Sequence, residues 1–159
     1  MSATFNQAAV TALFQAMTSE AMGLGAFARV NGHEPKSAPG VPISFSLWLA
    51  SIRPVATSGL NSVSGVVTFT GRVYKASTGA NQTELDAIDP AILTATGQLM
   101  AAYSGGFTLG GTVRAVDLLG AAGTPMVATA VYVEQDGKQF RVMELTIPVV
   151  INDLWQESA

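Results

Sequence analysis

The sequence predicts a single α+β domain, and three features support this prediction. In the last third of the chain, two apolar runs flank an Asp-Gly pair at 136–137, which suits a two-residue type I′ turn because both positions require positive φ. Alternating apolar residues over 43–50 and 63–75 predict further strands. Apolar residues at helical spacing over 10–21 and 92–103 predict two principal helices. The whole chain of 159 residues fits one domain, which buries roughly two-thirds of its unfolded surface.

The first helix is predicted to begin at Thr4, three residues before Gln7, because this spacing allows a capping box. Thr4 can accept a hydrogen bond from the Gln7 amide, and the Gln7 side chain can reach back. The helix should end near Gly23, which suits a left-handed residue beyond the last turn. Its apolar stripe indicates a helix that faces the core rather than a binding helix: Val10, Leu13, Phe14, Met17 and Ala21.

A loop rich in proline and glycine occupies residues 32–42, after a short predicted strand over 26–31. Its three prolines, two glycines and few apolar residues predict a flexible, exposed segment that becomes ordered only against a partner. The candidate partner-contact residues in this loop are Gly32, His33, Glu34 and Lys36.

The middle of the chain contains the predicted strands and the second principal helix. The strand over 43–50 places Trp48 on its less apolar face, where this side chain either packs in a satellite core or anchors an interface. Asp89 is predicted to cap the helix, with Pro90 in its first position, where the missing amide costs nothing. Glycines should end this helix, and a flexible connection over 105–111 then leads to the closing strands.

The turn at 136–137 determines which hairpin residues face each other. The predicted pairs are all apolar: Val133 with Phe140, Val131 with Val142, Ala130 with Met143, Ala128 with Leu145, and Met126 with Ile147. Near the turn the apolar residues favour one face, and farther away they favour the other. One core cannot cover both, so either helices cover parts of both faces or one end of the hairpin lies against a neighbouring subunit. The candidate subunit-contact residues are Val131, Val133, Phe140 and Val142.

Asp117 is a charged residue in an otherwise apolar strand. A buried carboxylate needs a cation or backbone donors to offset its desolvation. We interpret Asp117 as structural, either through a turn-shaping hydrogen bond before Gly120 or through an ion pair across a subunit boundary. Arg114 is a candidate partner for it, and both residues are candidates for a subunit interface.

The composition argues against several classes of function. Only 12% of the residues are charged, against about a quarter in typical soluble domains, so partners are expected to cover part of the surface. A net charge of -3 with eight scattered Lys and Arg argues against sequence-specific binding of nucleic acid. The absence of cysteine excludes disulfides and thiolate catalysis and fits a reducing compartment. Neither a signal peptide nor a membrane-spanning run is evident, so a soluble, cytoplasmic product is expected.

Catalytic, metal and cofactor sites are not expected from the sequence. His33 is the single histidine, and no Gly-x-Ser-x-Gly motif accompanies it. One histidine without cysteine argues against a transition-metal site. The glycines at 105–111 and 120–123 lack the Lys-Ser/Thr, or the following helix, that a phosphate-binding loop requires. Asp86 and Asp89 are interpreted as partners of a helix dipole rather than as an acid/base pair.

Several short segments occur in order along the chain. The upstream ones are Leu24-Gly25-Ala26-Phe27, His33-Glu34-Pro35-Lys36 and Ile88-Asp89-Pro90. The downstream ones are Arg114-Ala115-Val116-Asp117-Leu118-Leu119-Gly120, the Tyr132 strand, Phe140-Arg141-Val142 and Ile147-Pro148-Val149-Val150-Ile151-Asn152-Asp153-Leu154-Trp155. In this order and spacing, over nearly the whole chain, they resemble the tail terminator (tail completion) proteins of long-tailed bacteriophages.

This resemblance implies an α+β subunit in which helices pack against a mainly antiparallel sheet. It implies a non-enzymatic virion structural protein that forms a homohexameric ring on the head-proximal end of the tail tube. Such a ring ends tube polymerisation and provides the surface that joins the head. The implied partners are further copies of the chain, the tail tube protein, the head-tail connector or stopper protein, and DNA that passes through the channel without specific binding. The implied location is the tail-neck junction of the virion, after synthesis in the host cytoplasm.

Two other functions remain open from the sequence. A head-tail connector or stopper protein of the neck would share the size, the α+β content and the ring assembly. A small-ligand-binding or enzymatic α+β domain would instead enclose a pocket between the sheet and the helix that begins at Asp89. Its mark would be a deep cavity with converging polar groups and a perturbed carboxylate such as Asp117.

Overall fold

A computed structural model describes residues 2–57, 59–77, 81–104 and 113–157. These residues form a single α+β domain with a seven-stranded, mainly antiparallel sheet, which confirms the predicted fold class. The elements are β1 (Ala3–Phe5), α1 (Gln7–Gly23), β2 (Arg29–Asn31), β3 (Ile43–Thr57), β4 (Ser62–Ala76), α2 (Gln82–Asp86), α3 (Ile88–Ser104), β5 (Val113–Val116), β6 (Val127–Gln135) and β7 (Lys138–Glu157). The predicted connection over 105–111 and the side chain of Arg114 lie outside the described residues.

Strand β7 is the centre of the sheet, and its 20 residues pair along both edges. One edge pairs with β4 from Ser62 to Ala76, and β3 and β2 follow beyond β4. The other edge holds β6, β5 and β1 in succession. The pair formed by β2 and β3 is parallel, and the remaining described pairs are antiparallel. A long apolar strand therefore joins nearly every part of the fold.

Helices α1 and α3 pack on one face of this sheet, which we call the helix face. From the helices, Leu13, Met17 and Leu99 are fully buried. From the sheet, they meet Phe69 and Ile147, together with the other apolar residues of the same face. The predicted core-facing stripe of the first helix is confirmed because Leu13, Met17 and Ala21 are its buried residues.

Helix α1 begins later than the sequence predicts. Asn6, rather than Thr4, is the capping residue, and its side chain accepts a hydrogen bond from the Ala9 amide at 3.1 Å. Thr4 lies in β1, where it pairs with Gln156 at the end of β7. The prediction was wrong because pairing with a distant strand extends the backbone around Thr4 and removes it from the cap position.

The second principal helix begins one residue before the predicted cap, Asp89. A short helix, α2, precedes it, and Asn81 and Glu84 form a capping box there, with the Glu84 amide donating to Asn81 Oδ1 at 2.9 Å. Helix α3 then starts at Ile88, which places Asp89 within the first turn. The spacing of Asn81 and Glu84 was present in the sequence, so this earlier helical start was recognisable.

The β6–β7 hairpin has the predicted turn, since Asp136 and Gly137 have φ values of 53° and 71°. The four predicted pairs from Val133–Phe140 to Ala128–Leu145 are confirmed. The fifth pair, Met126 with Ile147, was wrong because β6 begins at Val127 and the Met126 amide donates to the Asp117 carbonyl instead. Beyond that point β5 takes over the edge of β7.

Candidate interaction surfaces

The sheet face away from the helices, which we call the opposite face, carries a small second core. Tyr74, Phe140 and Val142 are buried there, with Val131 and Val133 packed around them. Ala38, from the loop over 32–42, also packs against this cluster. The subunit therefore covers the turn end of the hairpin with its own loop, a solution that differs from both covers predicted from the sequence.

The loop over 32–42 is held by the tip of the β6–β7 hairpin. The Ala38 amide donates to Asp136 Oδ2 at 2.7 Å, and Gln135 Nε2 donates to the Pro35 carbonyl at 3.2 Å. The chain therefore supplies anchors for this loop itself, while the flexibility of the loop and its ordering by a partner stay predictions. Proline and glycine content revealed the loop, but it did not reveal that the distant turn supplies polar anchors for it.

The four predicted contact residues of this loop, Gly32, His33, Glu34 and Lys36, are all exposed. Pro35 and Ala38 face the hairpin instead, where they make the contacts described above. The loop thus has an inner side that the subunit uses and an outer side that carries the charged residues. A partner-binding role for the outer side stays a prediction.

The four predicted hairpin contact residues divide into two groups. Phe140 and Val142 are 1% and 0% exposed, so they pack inside the subunit. Val131 and Val133 are partly buried and keep surface that another subunit can contact. Phe140 and Val142 therefore belong to an internal core of the chain. Val131 and Val133 remain candidates for contact with another subunit.

Asp117 shapes the turn that follows β5. Its carboxylate oxygens accept hydrogen bonds from the Ala121 and Ala122 amides, both at 2.8 Å, while the residue is 8% exposed. This arrangement is the turn-shaping alternative that the sequence offered. Two backbone donors offset the desolvation of the carboxylate.

Arg53 of β3, on the other side of strands β7 and β4 from β5, contacts the same turn. Its guanidinium donates to the Ala122 carbonyl and lies close to Gly123, which has a φ of 119°. Because β7 and β4 lie between β5 and β3, the turn and the Arg53 side chain together span both strands. This long-range contact could not be read from the sequence.

The turn presents two apolar side chains to solvent. Leu118 is 43% exposed and Leu119 is 93% exposed. Val127, at the start of β6, is also 43% exposed. Tyr132 in β6 is 61% exposed, and Leu93 in α3, which lines a groove together with Ala130 of β6, is 66% exposed. The exposed residues on and beside β6, namely Val127, Tyr132 and Leu93, form what we call the β6 side, a candidate interaction surface that the sequence analysis did not identify.

Two ion pairs link neighbouring elements. Arg141 contacts Asp89 at 2.9 Å and lies 4.5 Å from the centre of the Tyr132 ring, which ties the hairpin to the first turn of α3. On the opposite face, Arg72 contacts Glu144 at 2.7 Å. Arg72 also lies 5.3 Å from the centre of the ring of Trp48, which is partly buried, and an interface role for Trp48 stays a prediction. Asp89 thus lies in the first turn of α3, as a partner of the helix dipole should, and it also forms an ion pair with Arg141 of β7.

An open groove of about 410 Å³ lies between the start of α3 and the hairpin. Its lining is mostly apolar: Pro90, Ile92, Leu93, Ala130 and Met143, with the Asp89–Arg141 ion pair at its polar end. The carboxylate of Asp117 is not part of it, because two amides of its own turn use that group.

In the described part of the chain, no three metal-ligating side chains form a group that could hold a metal ion. None of the described helices is long and apolar enough to cross a membrane.

The fold and these surfaces define a small α+β subunit whose polar side chains mainly hold its own turns and strands together. No protein-family model matches the sequence, and no curated protein matches it. Among solved structures, the chain is similar to a chain of the virion of a native gene transfer agent particle, with 16% identity and a TM-score of 0.53 over 92% of this chain and 99% of that chain. At this identity the similarity shows a shared fold.

A second similar structure is the sheath/tube terminator of an extracellular contractile injection system in its extended state. The identity is 12% and the TM-score 0.35, with 94% of this chain and 57% of that chain covered. The TM-score is too low for this similarity to support an argument.

Proposed function

We propose that this chain is a tail terminator, a non-enzymatic structural subunit of a phage-like virion that forms a six-membered ring on the head-proximal end of the tail tube. The observation that carries the proposal is the fold similarity to a chain of a gene transfer agent virion, which extends over 99% of that chain. The ordered sequence segments that resemble tail terminators support the same function, since they span most of the same domain.

The function would consist of binding alone. A ring that is complementary to the last ring of the tube covers the surface to which the next tube subunit would add. Its other face lacks the docking surface of the tube, so polymerisation ends, and that face joins the head through a connector or stopper protein. A ring of identical subunits requires a heterologous contact, in which two different surfaces of each copy meet.

The distribution of polar and apolar groups supports binding. Asp117, Asp89 and Glu144 have structural partners, which leaves exposed apolar residues as the main unused feature of the β6 side. Charged residues make up only 12% of the chain, a composition that favours coverage by partners. A net charge of -3 is compatible with DNA that passes through the ring without being held.

A head-tail connector or stopper protein is the second candidate. The similar chain belongs to a whole virion particle, and this similarity supports a virion component at either position. The two functions differ in the partner that each one binds: the terminator binds the open end of the tube, whereas the stopper binds the head side.

The test is a capping experiment with isolated tail tubes and purified tube subunits. We expect electron micrographs to show added density at one tube end, and we expect capped tubes to stop growing when tube subunits are supplied. Tubes that elongate at the unmodified rate and carry no added density would overturn the terminator function. Deletion of the gene should give overlong tubes, whereas normal-length tails without heads would indicate a stopper.

A further inference from the structure

The outer edge of β6 is an open strand edge. Strand β6 pairs with β7 along nine residues without a bulge, and no other strand of the described residues pairs with its outer side. Its sequence, VATAVYVEQ, contains no proline or glycine and a single charged residue, Glu134. A regular, mainly apolar edge of this length with a single charge is a template for pairing with another strand.

The sheet's other long edge is protected against such pairing. Strand β3 carries Pro54 and two register shifts, between Leu49 and Ser51 and between Pro54 and Ala56. Proline removes an amide from the ladder, and bulges bend the edge away from a flat partner. Strand β2, which covers the remainder of that edge, has only three residues. The contrast marks β6 as the edge that is left available.

The hairpin turn determines which groups of β6 point outward. Gln135 and Lys138 flank a two-residue turn, and such a pair exchanges both of its hydrogen bonds. Every second residue of β6, counted back from Gln135, therefore forms backbone hydrogen bonds with β7. The residues between them point their backbone amides and carbonyls away from β7: Ala128, Ala130, Tyr132 and Glu134.

The outer edges of two β6 strands can pair with each other when Val131 lies at the centre of the contact. If two β6 strands pair antiparallel with Val131 opposite its own copy, then Tyr132 lies opposite Ala130, a large side chain against a small one. Glu134 lies opposite Ala128, so no like charges meet. All nine residues pair, and both sheets keep their helices on the same side. A partner with the matching pattern is thus a second copy of the chain.

We propose that the free protein is a two-fold dimer joined by the outer edges of β6, centred on Val131. The contact covers Val127 and Tyr132 and satisfies the outward backbone groups of both strands. It is isologous, so it differs from the heterologous contact of a ring. It closes the open edge before assembly, and it must separate if a ring is to use the β6 side. The proposal goes beyond capping and does not depend on it.

Single cysteines test this geometry because the chain has no native cysteine. In the dimer, residue 131 forms a pair without hydrogen bonds, whose Cα atoms lie about 4.5 Å apart, within the range that a disulfide accepts. Under mild oxidation we expect Val131→Cys to become a covalent dimer that a reductant reverses. Thr129→Cys is the matched control on the same face of the same strand. Its two copies would lie about 13 Å apart, so it should remain uncrosslinked.

The unmodified protein provides the second measurement, which requires no substitution. Light scattering at micromolar concentration should give twice the chain mass of 16.4 kDa. Hydrogen exchange should slow at the Ala128, Ala130 and Tyr132 amides when the protein is concentrated from the monomeric range. A single-chain or sixfold mass, equal crosslinking of both cysteine variants, or unprotected amides would overturn the dimer. Capping is scored separately on tubes, so failure of the dimer leaves the terminator function intact.

Discussion

At the level of single residues, Asp117 and Arg53 both stabilise the turn after β5, and both bond to the backbone of Ala122. Asp117 accepts the Ala121 and Ala122 amides, and Arg53 donates to the Ala122 carbonyl. The turn therefore presents Leu118 and Leu119 to solvent on a backbone that is fixed by hydrogen bonds. A contact surface that is already ordered loses less conformational entropy on binding than a mobile one.

Replacing Asp117 by Ala should lower the free energy of unfolding by about 1 to 3 kcal/mol, because two amides lose a charged acceptor. Asp117→Asn keeps one acceptor oxygen and should fall between the wild type and Asp117→Ala. Urea unfolding of the three proteins measures the difference. Asp86→Ala, at an exposed position in α2, serves as the control and should change stability little. Equal stabilities for Asp117→Ala and this control would contradict the role of the carboxylate.

At the level of secondary-structure elements, Gly137 allows the conformation of the β6–β7 turn, and Tyr103 links helix α3 to helix α1 by a hydrogen bond. Gly137 occupies a left-handed conformation that side chains disfavour. The Tyr103 hydroxyl of α3 donates to the Met17 carbonyl of α1 at 2.8 Å, and burial raises the pKa of this hydroxyl, with a smaller effect from Glu20. The hydroxyl therefore remains a donor at any physiological pH.

Gly137→Ala should destabilise the protein by about 1 to 2 kcal/mol, because a side chain at positive φ is strained. Gly97→Ala is the opposite case, since this exposed glycine of α3 has open space around its Cα. It should stabilise the protein by about 0.5 to 1 kcal/mol, because alanine favours a helix. Thermal unfolding compares both with the wild type. Shifts of the same sign would mean that backbone conformation does not determine the two effects.

The raised pKa of Tyr103 predicts that the free energy of unfolding decreases at high pH. Because its pKa is raised in the folded protein, the folded state retains a proton that the unfolded state loses above the ordinary value of 10.0. Its contribution is complete below pH 10 and decreases as the pH rises further. Tyr103→Phe should lose about 0.5 to 1.5 kcal/mol at neutral pH through the missing hydrogen bond. Above pH 10 its unfolding free energy should decline less steeply than that of the wild type. Parallel pH profiles would contradict this account.

At the scale of the whole molecule, the two sheet faces are covered in different ways. Helices α1 and α3 cover the helix face, whereas the loop over 32–42 and the turn after β5 cover the two ends of the opposite face. The β6 side carries exposed apolar residues, among them Val127 and Tyr132. The proposed free dimer uses this side, and the dimer must separate if the proposed ring uses it as well.

Changing Val131 or Val133 to Asp should disrupt folding or assembly, because both residues pack against the Tyr74–Phe140–Val142 core and border the β6 edge. We expect a loss of about 1 to 3 kcal/mol. Val131→Thr and Val133→Thr keep the branched shape and should have smaller effects. Melting temperature and oligomer size measure the two outcomes. Unchanged values in both Asp variants would show that this face is placed incorrectly.

The elements whose signals are local could be predicted from the amino-acid sequence alone. The Asp-Gly turn specified the hairpin and four of its cross-strand pairs, because a two-residue turn sets the register of both strands. Helical periodicity identified α1 and α3, because buried positions recur with the period of the helix. Proline and glycine located the loop over 32–42.

The places where distant segments meet became known only from the folded chain. Thr4 became a strand residue because β7 extends far enough to pair with it. The loop over 32–42 gained its anchors from a turn almost a hundred residues away, and Arg53 of β3 bonds to the turn after β5 although two strands lie between β3 and β5. The exposed β6 edge follows from the order of strands around β7. These outcomes depend on contacts between segments far apart in the chain, which local spacing and turn chemistry do not specify.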